Sequence, residues 1–348
     1  MYWSTRAMCR TAIGMIARSS GTAVGPARLL SREFVRGYVI TMRPYLLFVS
    51  GIAGIVGLAL APGIPAVDTL LLAAAFFLSY GFGQALTDCF QVDTDSLSAP
   101  YRPLVRGDIR RRDVMIVSLV GLAAIGLTLA LYNALNIPLA AVAVLGLATY
   151  TTFKRRWWAG PFYNAWIVAL LTAIAYFAAL GAAGAGAEPS PALLATILCV
   201  FFGYANFVLA GYYKDISADR ATGYRTLPVV AGMKVSTIVS DIFAAAGLTA
   251  CVVALLASIT GRGLGAGHAV AALLFLGGVG TAVTAQLRLH RVRDEGEAHR
   301  AIAPVVHTFI LQLAAIAGVQ KPSWAPALLL YYVAYRAVMR RRPMKEQI

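Results

Sequence analysis

Residues 214 to 232 read KDISADRATGYRTLPVVAG, a polar stretch set into an apolar run long enough to cross a bilayer. Asp215 and Asp219 are four residues apart, so on a helix they stack on one face, one turn above the other. Carboxylates so spaced can share a hard divalent cation, whose remaining ligands can be phosphate oxygens. The stretch therefore predicts a site for a diphosphate. Residues 87 to 107, TDCFQVDTDSLSAPYRPLVRG, repeat the design: an apolar helix ends in carboxylates and enters a loop bearing Pro, Gly and Arg. Asp88 and Asp95 are seven residues apart, about two helical turns, and share a face if the helix persists that far. Two such elements in one chain point to one shared site.

Composition sets the surroundings. The 348 residues are 59% hydrophobic and 13% charged, and the mean hydropathy of +0.72 is far above that of a soluble domain. The expected class is all-α: a polytopic transmembrane helical bundle of nine or ten spans around a central cavity open to the cytoplasmic side. Apolar runs near the roughly 20 residues that span a bilayer place the spans at 44–61, 67–86, 113–132, 137–153, 162–182, 191–212, 235–258, 267–287, 302–319 and 324–339. Of the 30 Lys and Arg residues, all but Arg262 and Lys321 fall on one side of these spans. The positive-inside rule then puts both termini and both Asp-bearing loops in the cytoplasm, or its topological equivalent such as a matrix, and favours an even number of crossings. The last two spans are short, so one tilted span plus an interfacial helix is the other drawing.

The same distribution disposes of nucleic acid as a partner. Net charge is +15, but the cations sit between spans and no soluble portion remains to carry a nucleic-acid module. Residues 1–43 form a basic N-terminal arm, in which Arg6, Arg10, Arg18, Arg28, Arg32, Arg36 and Arg43 face Glu33 alone; residues 44–339 form the membrane domain and 340–348 a basic C-terminal tail. A transit peptide shares the arm's composition, whereas a cytoplasmic amphipathic arm explains its charge without a cleavage event. Cys9, Cys89, Cys199 and Cys251 form no CxxC pair and read as small core residues. His268, His290, His299 and His307 form no paired-ligand pattern, and there is no phosphate-binding Gly-Lys loop or dinucleotide fingerprint. Zinc, ATP and NAD chemistry are therefore not expected.

The stretch from 214 to 232 resembles the second Asp-rich motif of the UbiA superfamily of intramembrane prenyltransferases. That motif is Asp-x-x-x-Asp followed by Gly and a Thr-Leu-Pro turn, matched by Asp215, Asp219, Gly223 and Thr226-Leu227-Pro228. The stretch from 87 to 107 is similar to the first motif, Asn-Asp-x-x-Asp-x-x-x-Asp with a Pro-x-Arg-Pro tail, matched at Asp88, Asp95, Pro100, Arg102 and Pro103. A third likeness lies in YTTFKRRWWAGPFYN, Tyr150 to Asn164, similar to the family's Tyr, basic pair and following Asn. The departures fall in the first motif, where Thr87 replaces Asn and Gln91 replaces the middle Asp. Metal binding should be weaker there unless Asp93 swings in, which needs the helix to unwind.

The resemblance implies Mg²⁺-dependent transfer of a prenyl group from a prenyl diphosphate to a small aromatic or quinone-precursor acceptor, with release of diphosphate. Asp88, Asp95, Asp215 and Asp219 become the metal ligands and catalytic carboxylates. Gln91, Arg102, Tyr150, Lys154, Asn164, Tyr213, Lys214 and Arg225 become the substrate contacts. The implied partners are the prenyl diphosphate, a small aromatic or lipid-soluble acceptor and the bilayer. Plainer readings stand beside these: Arg102 and Arg225 as topology cations, Asn164 as a helix–helix contact, and Tyr150, Tyr212, Tyr213, Trp157 and Trp158 as interface anchors. A terpene cyclase of the same superfamily, needing no acceptor, is the alternative that the altered first motif leaves open; an ion transporter is the third class. The pattern fixes neither prenyl chain length nor oligomeric state.

Overall fold

The structure, a computed structural model, describes residues 25–186, 190–259 and 265–341. Cys9, Arg6, Arg10, Arg18, Arg262 and most of the predicted tail lie outside the described residues. In chain order the helices are α1 (Arg32–Met42), a 3-10 turn (Pro44–Leu46), α2 (Leu47–Leu60), α3 (Ala66–Asp88), α4 (Val92–Ser98), α5 (Pro103–Arg106), α6 (Arg111–Tyr132) and α7 (Asn136–Arg156). They continue as α8 (Gly160–Ala183), α9 (Pro191–Tyr212), α10 (Ile216–Ala221), α11 (Leu227–Ile259), α12 (Ala266–Leu289), α13 (His299–Gln320) and α14 (Ala325–Arg340).

Among the described residues eight helices are long and apolar enough to cross a membrane, and the pair containing α1 and α2, bent by 41°, makes a ninth. The span expected at 324–339 is α14, which has 16 residues, about 24 Å at 1.5 Å per residue and short of a hydrocarbon core of about 30 Å. It still returns the chain toward the first helix pair. The Tyr335 ring lies 5.6 Å from that of Phe48, and the Tyr331 hydroxyl donates to the Phe48 carbonyl at 2.7 Å.

The last part of the basic arm is itself packed structure. Ser31 caps α1 by accepting the Phe34 N–H at 3.2 Å, and Phe34, Tyr38 and Met42 are buried with Cys89, Leu104, Ile109 and Val114. The boundary expected at residue 43 thus falls inside the first bent helix pair. At the other extreme of burial, α13 lies in the middle of the bundle with most of its surface covered, while α6 is largely uncovered. An apolar, largely uncovered helix suits lipid contact.

Close approach fixes how α6 meets α8. A Cβ on Gly181 would lie 1.8 Å from the Tyr132 carbonyl oxygen, so no side chain fits without moving one helix. Gly181→Ala is expected to cost about 1–3 kcal/mol through overpacking, read as a lower Tm of the purified protein in detergent; an unchanged Tm would mean that this contact is loose.

Alternating helix direction gathers the C-terminal ends of α3, α7 and α9 with the N-terminal ends of α2, α6 and α8. At this end of the bundle lie Arg43, Asp88, Lys154, Asn164 and Asp215.

Candidate active site

Helix α3 stops at Asp88, the chain turns through Cys89–Gln91, and α4 begins at Val92. Asp88 and Asp95 therefore do not share the face of one continuous helix, as their spacing had suggested. The break brings both into one cavity instead, where Arg102 pairs with Asp95 and lies 3.9 Å from Asp88. Arg43 donates to both oxygens of Asp88 at 2.9 and 3.0 Å, and Gln84 donates to Oδ1 at 2.6 Å. Sequence reasoning missed Arg43 by counting it with the arm. Its left-handed backbone (φ 53, ψ 71) separates α1 from the 3-10 turn, and its side chain lines the cavity. The usable signal was Pro44, which disfavours helical geometry at the residue before it.

The first motif does unwind, yet Asp93 does not join the cavity. It pairs with Arg155 and accepts from the Tyr224 hydroxyl at 3.3 Å, with about two-fifths of its side chain exposed.

The second motif divides its carboxylates. Asp215 occupies the N-cap position of α10, outside helical geometry (φ -116, ψ 9), and lines the cavity. Asp219 is fully buried and is not among the lining residues. It accepts from Thr94 at 3.3 Å and Thr226 at 3.1 Å, and pairs with Lys154 Nζ at 3.5 Å. Lys154 also reaches Gln91 Oε1 at 3.4 Å and sits over the rings of Tyr212 and Tyr224, 5.1 Å from each centroid. A cation sandwiched so is held by ring faces as well as by its carboxylate.

Of the other expected contacts, Gln91, Tyr150, Asn164 and Lys214 line the cavity, with the Tyr150 and Tyr212 hydroxyls 2.7 Å apart. Tyr213 and Arg225 do not. The Tyr213 hydroxyl is spent on the Met233 carbonyl at 3.0 Å and on Thr237 at 2.7 Å. Arg225 is exposed, and its backbone N–H donates to the Arg155 carbonyl at 3.0 Å. Trp157 and Trp158 are exposed at the end of α7, where interface anchors belong.

Burial governs the charges. It pushes Lys214 down to about 8 against the pull of Asp215. It raises the carboxyls of Asp95 and Asp219, opposed by Arg102 and Lys154 respectively. Past this charged cluster the cavity continues by Tyr80 and Tyr204 into an apolar length walled by α6, α7 and α8. Its empty space is about 1360 Å³ including the open mouth, and its lining changes from charged to apolar along its length, which suits a lipid tail behind a polar head.

Among the described residues no three His, Cys, Asp or Glu side chains converge closely enough to hold an ion alone. The donors that line the cavity, Asp88, Gln91, Asp95 and Asp215, are all hard oxygens. That set fits Mg²⁺, which is commonly held by one or two carboxylates with substrate phosphates completing its shell.

The model of the UbiA prenyltransferase family matches residues 49–313. The chain belongs to that family. It is 32% identical over 238 residues to digeranylgeranylglyceryl phosphate synthase of Pyrococcus furiosus, covering 66% of this chain and 80% of that relative. The Natronomonas pharaonis synthase of the same name is 33% identical over 229 residues, covering 65% and 77%. In fold, this UbiA protein is similar to a UbiA homolog from Aeropyrum pernix K1 (TM-score 0.60, 23% identity, 78% of this chain and 96% of that one). It is also similar to a UbiA homolog from Archaeoglobus fulgidus bound to DMAPP and Mg²⁺ (TM-score 0.58, 18% identity, 81% and 98%).

The UbiA chain is thus a multi-pass membrane enzyme, a prenyltransferase. The product named for its relatives carries a glyceryl phosphate and no aromatic ring. This speaks against the aromatic or quinone-precursor acceptor that the motifs suggested, and lends no support to a cyclase working without an acceptor.

Proposed function

We propose that this UbiA enzyme moves a prenyl group from its diphosphate to a hydroxyl of a lipid-soluble glyceryl phosphate. The observation that carries the reading is one cavity joining a cluster of carboxylates and cations to an apolar length between helices, which suits an anionic head on a hydrocarbon tail. The acceptor class rests on the names of the relatives. The Lys and Arg bias supports an orientation with the charged end of the bundle in the cytoplasm.

Asp95 and Asp215, with Gln91 as a neutral donor, would hold Mg²⁺, which when bound offsets the charge that develops on departing diphosphate. Arg102, Lys154 and Lys214 take the remaining phosphate oxygens, Arg through its planar fork and Lys as a point charge. Asp88 holds Arg43 and Arg102 at the cavity wall. Tyr150, Tyr204 and Tyr212 line the cavity, where ring faces stabilise an allylic cation and keep water from it. The allylic C–O bond breaks with its electron pair on diphosphate, the acceptor oxygen bonds to the freed carbon, and its proton passes to the diphosphate.

Diphosphate release by the protein in nanodiscs tests this, using geranylgeranyl diphosphate and Mg²⁺ with a geranylgeranylglyceryl phosphate, a panel of aromatic acceptors, or no acceptor. Release with the glyceryl phosphate and metal, giving a second ether in the extract, is expected. Release driven by an aromatic acceptor, or by none, would replace the reading.

A further inference from the structure

The apolar length of the cavity runs to Leu129 and Ile174. Leu129 of α6 and Ile174 of α8 are almost fully buried there. The Asn136 amide donates to the Leu129 carbonyl at 3.1 Å, and beyond it Tyr132 is pressed against Gly181 too closely for any side chain. Just before this floor the lining residues are small: a Cβ on Gly126 of α6 would lie 3.6 Å from that of Ala140 on α7, in ordinary contact.

Helix α7 carries both ends of the cavity, Lys154 at the charged cluster and Ala140 near the floor. The fourteen residue steps from Ala140 to Lys154 span about 21 Å at 1.5 Å per residue. A prenyl tail advances roughly 5 Å per isoprene unit, given carbon–carbon bonds of about 1.5 Å. The space between cluster and floor therefore matches about four units. We infer that Gly126 and Ala140, backed by the Leu129 floor, determine which prenyl diphosphates this enzyme accepts, admitting a geranylgeranyl tail and stopping a longer one. The inference rests on the prenyl-transfer reading for its substrate class, and it names the side chains that set the length.

Bulk at either small residue removes room for the last isoprene unit and leaves the head and the first three units untouched. The test is the Kd of farnesyl, geranylgeranyl and geranylfarnesyl diphosphates, measured by calorimetry with Mg²⁺ on the full chain in detergent. Binding is read instead of turnover, so a wrong acceptor assignment leaves the result intact. Gly126→Leu and Ala140→Leu are each expected to weaken geranylgeranyl diphosphate by about 10- to 100-fold, the range for a methylene-scale misfit in an apolar pocket, while farnesyl diphosphate binds as in the wild type. Leu129→Ala is expected to tighten geranylfarnesyl diphosphate, and retained farnesyl binding shows that each variant is folded. Equal losses for farnesyl and geranylgeranyl diphosphates in both leucine variants, no loss for either, or no gain in Leu129→Ala would overturn the inference. A transfer reading that failed on its own would show as normal prenyl binding with no product from any acceptor.

Discussion

Asp215→Ala is expected to lower turnover by about 10²- to 10³-fold, the usual loss when one preorganised charge is removed from a catalytic site. The protein should still insert and melt close to wild type. Both halves of the expectation come from the position of the residue. Asp215 sits at the N-cap of α10 but makes no side-chain cap hydrogen bond, so alanine removes little helix stability. What it removes is a hard oxygen donor on the cavity wall, next to a Lys214 that burial has already pushed down to about 8. The comparison is Asp93→Ala. That carboxylate is an acid of the first motif, but it is partly exposed and paired with Arg155 outside the cavity, and an exposed pair contributes about 0–1 kcal/mol. Steady-state diphosphate release, together with Mn²⁺ binding followed by electron paramagnetic resonance, checks both variants. Full turnover in Asp215→Ala, or a comparable loss in Asp93→Ala, would mean that metal and diphosphate sit elsewhere.

These two aspartates show where sequence stopped being sufficient. Membrane class and the two acidic loops were legible because composition and residue spacing are local properties. Side-chain direction at a helix end is not. The four-residue spacing of Asp215 and Asp219 aligns carboxylates only where helical geometry holds, and Asp215 lies outside it; one acid therefore lines the cavity while the other is buried with Lys154, Thr94 and Thr226. Tyr212 and Tyr213 are neighbours about 100° apart around a helix, so choosing between them required knowing where the core lay. Tyr212 joined the site and Tyr213 bonded α11. Arg43 was hidden for a different reason: its inward course depends on a left-handed backbone and on α1 packing beside α3. Long-range contacts left no local trace either. Glu295, from the loop between α12 and α13, accepts the Ser217 N–H at 3.0 Å through each carboxylate oxygen, tying that loop to the second motif across 78 residues.

The Lys154–Asp219 pair should separate catalysis from stability. Its side chains are 5% and 0% exposed, and removing one partner from such a pair strands a buried charge at about 3–5 kcal/mol. Asp219→Asn and Lys154→Met are therefore each expected to lower the Tm markedly and to abolish turnover. Combining them leaves no buried charge without its partner, so the double variant should be more stable than either single one, with a coupling of about 0.5–3 kcal/mol in the cycle. Turnover decides what Lys154 does. If Lys154 only balances Asp219, the double variant recovers activity along with stability. If its ammonium, held against Gln91 and between the rings of Tyr212 and Tyr224, also takes a phosphate oxygen, stability returns and activity does not. The second outcome is expected, because Lys154 lines the cavity while Asp219 stands behind it and does not.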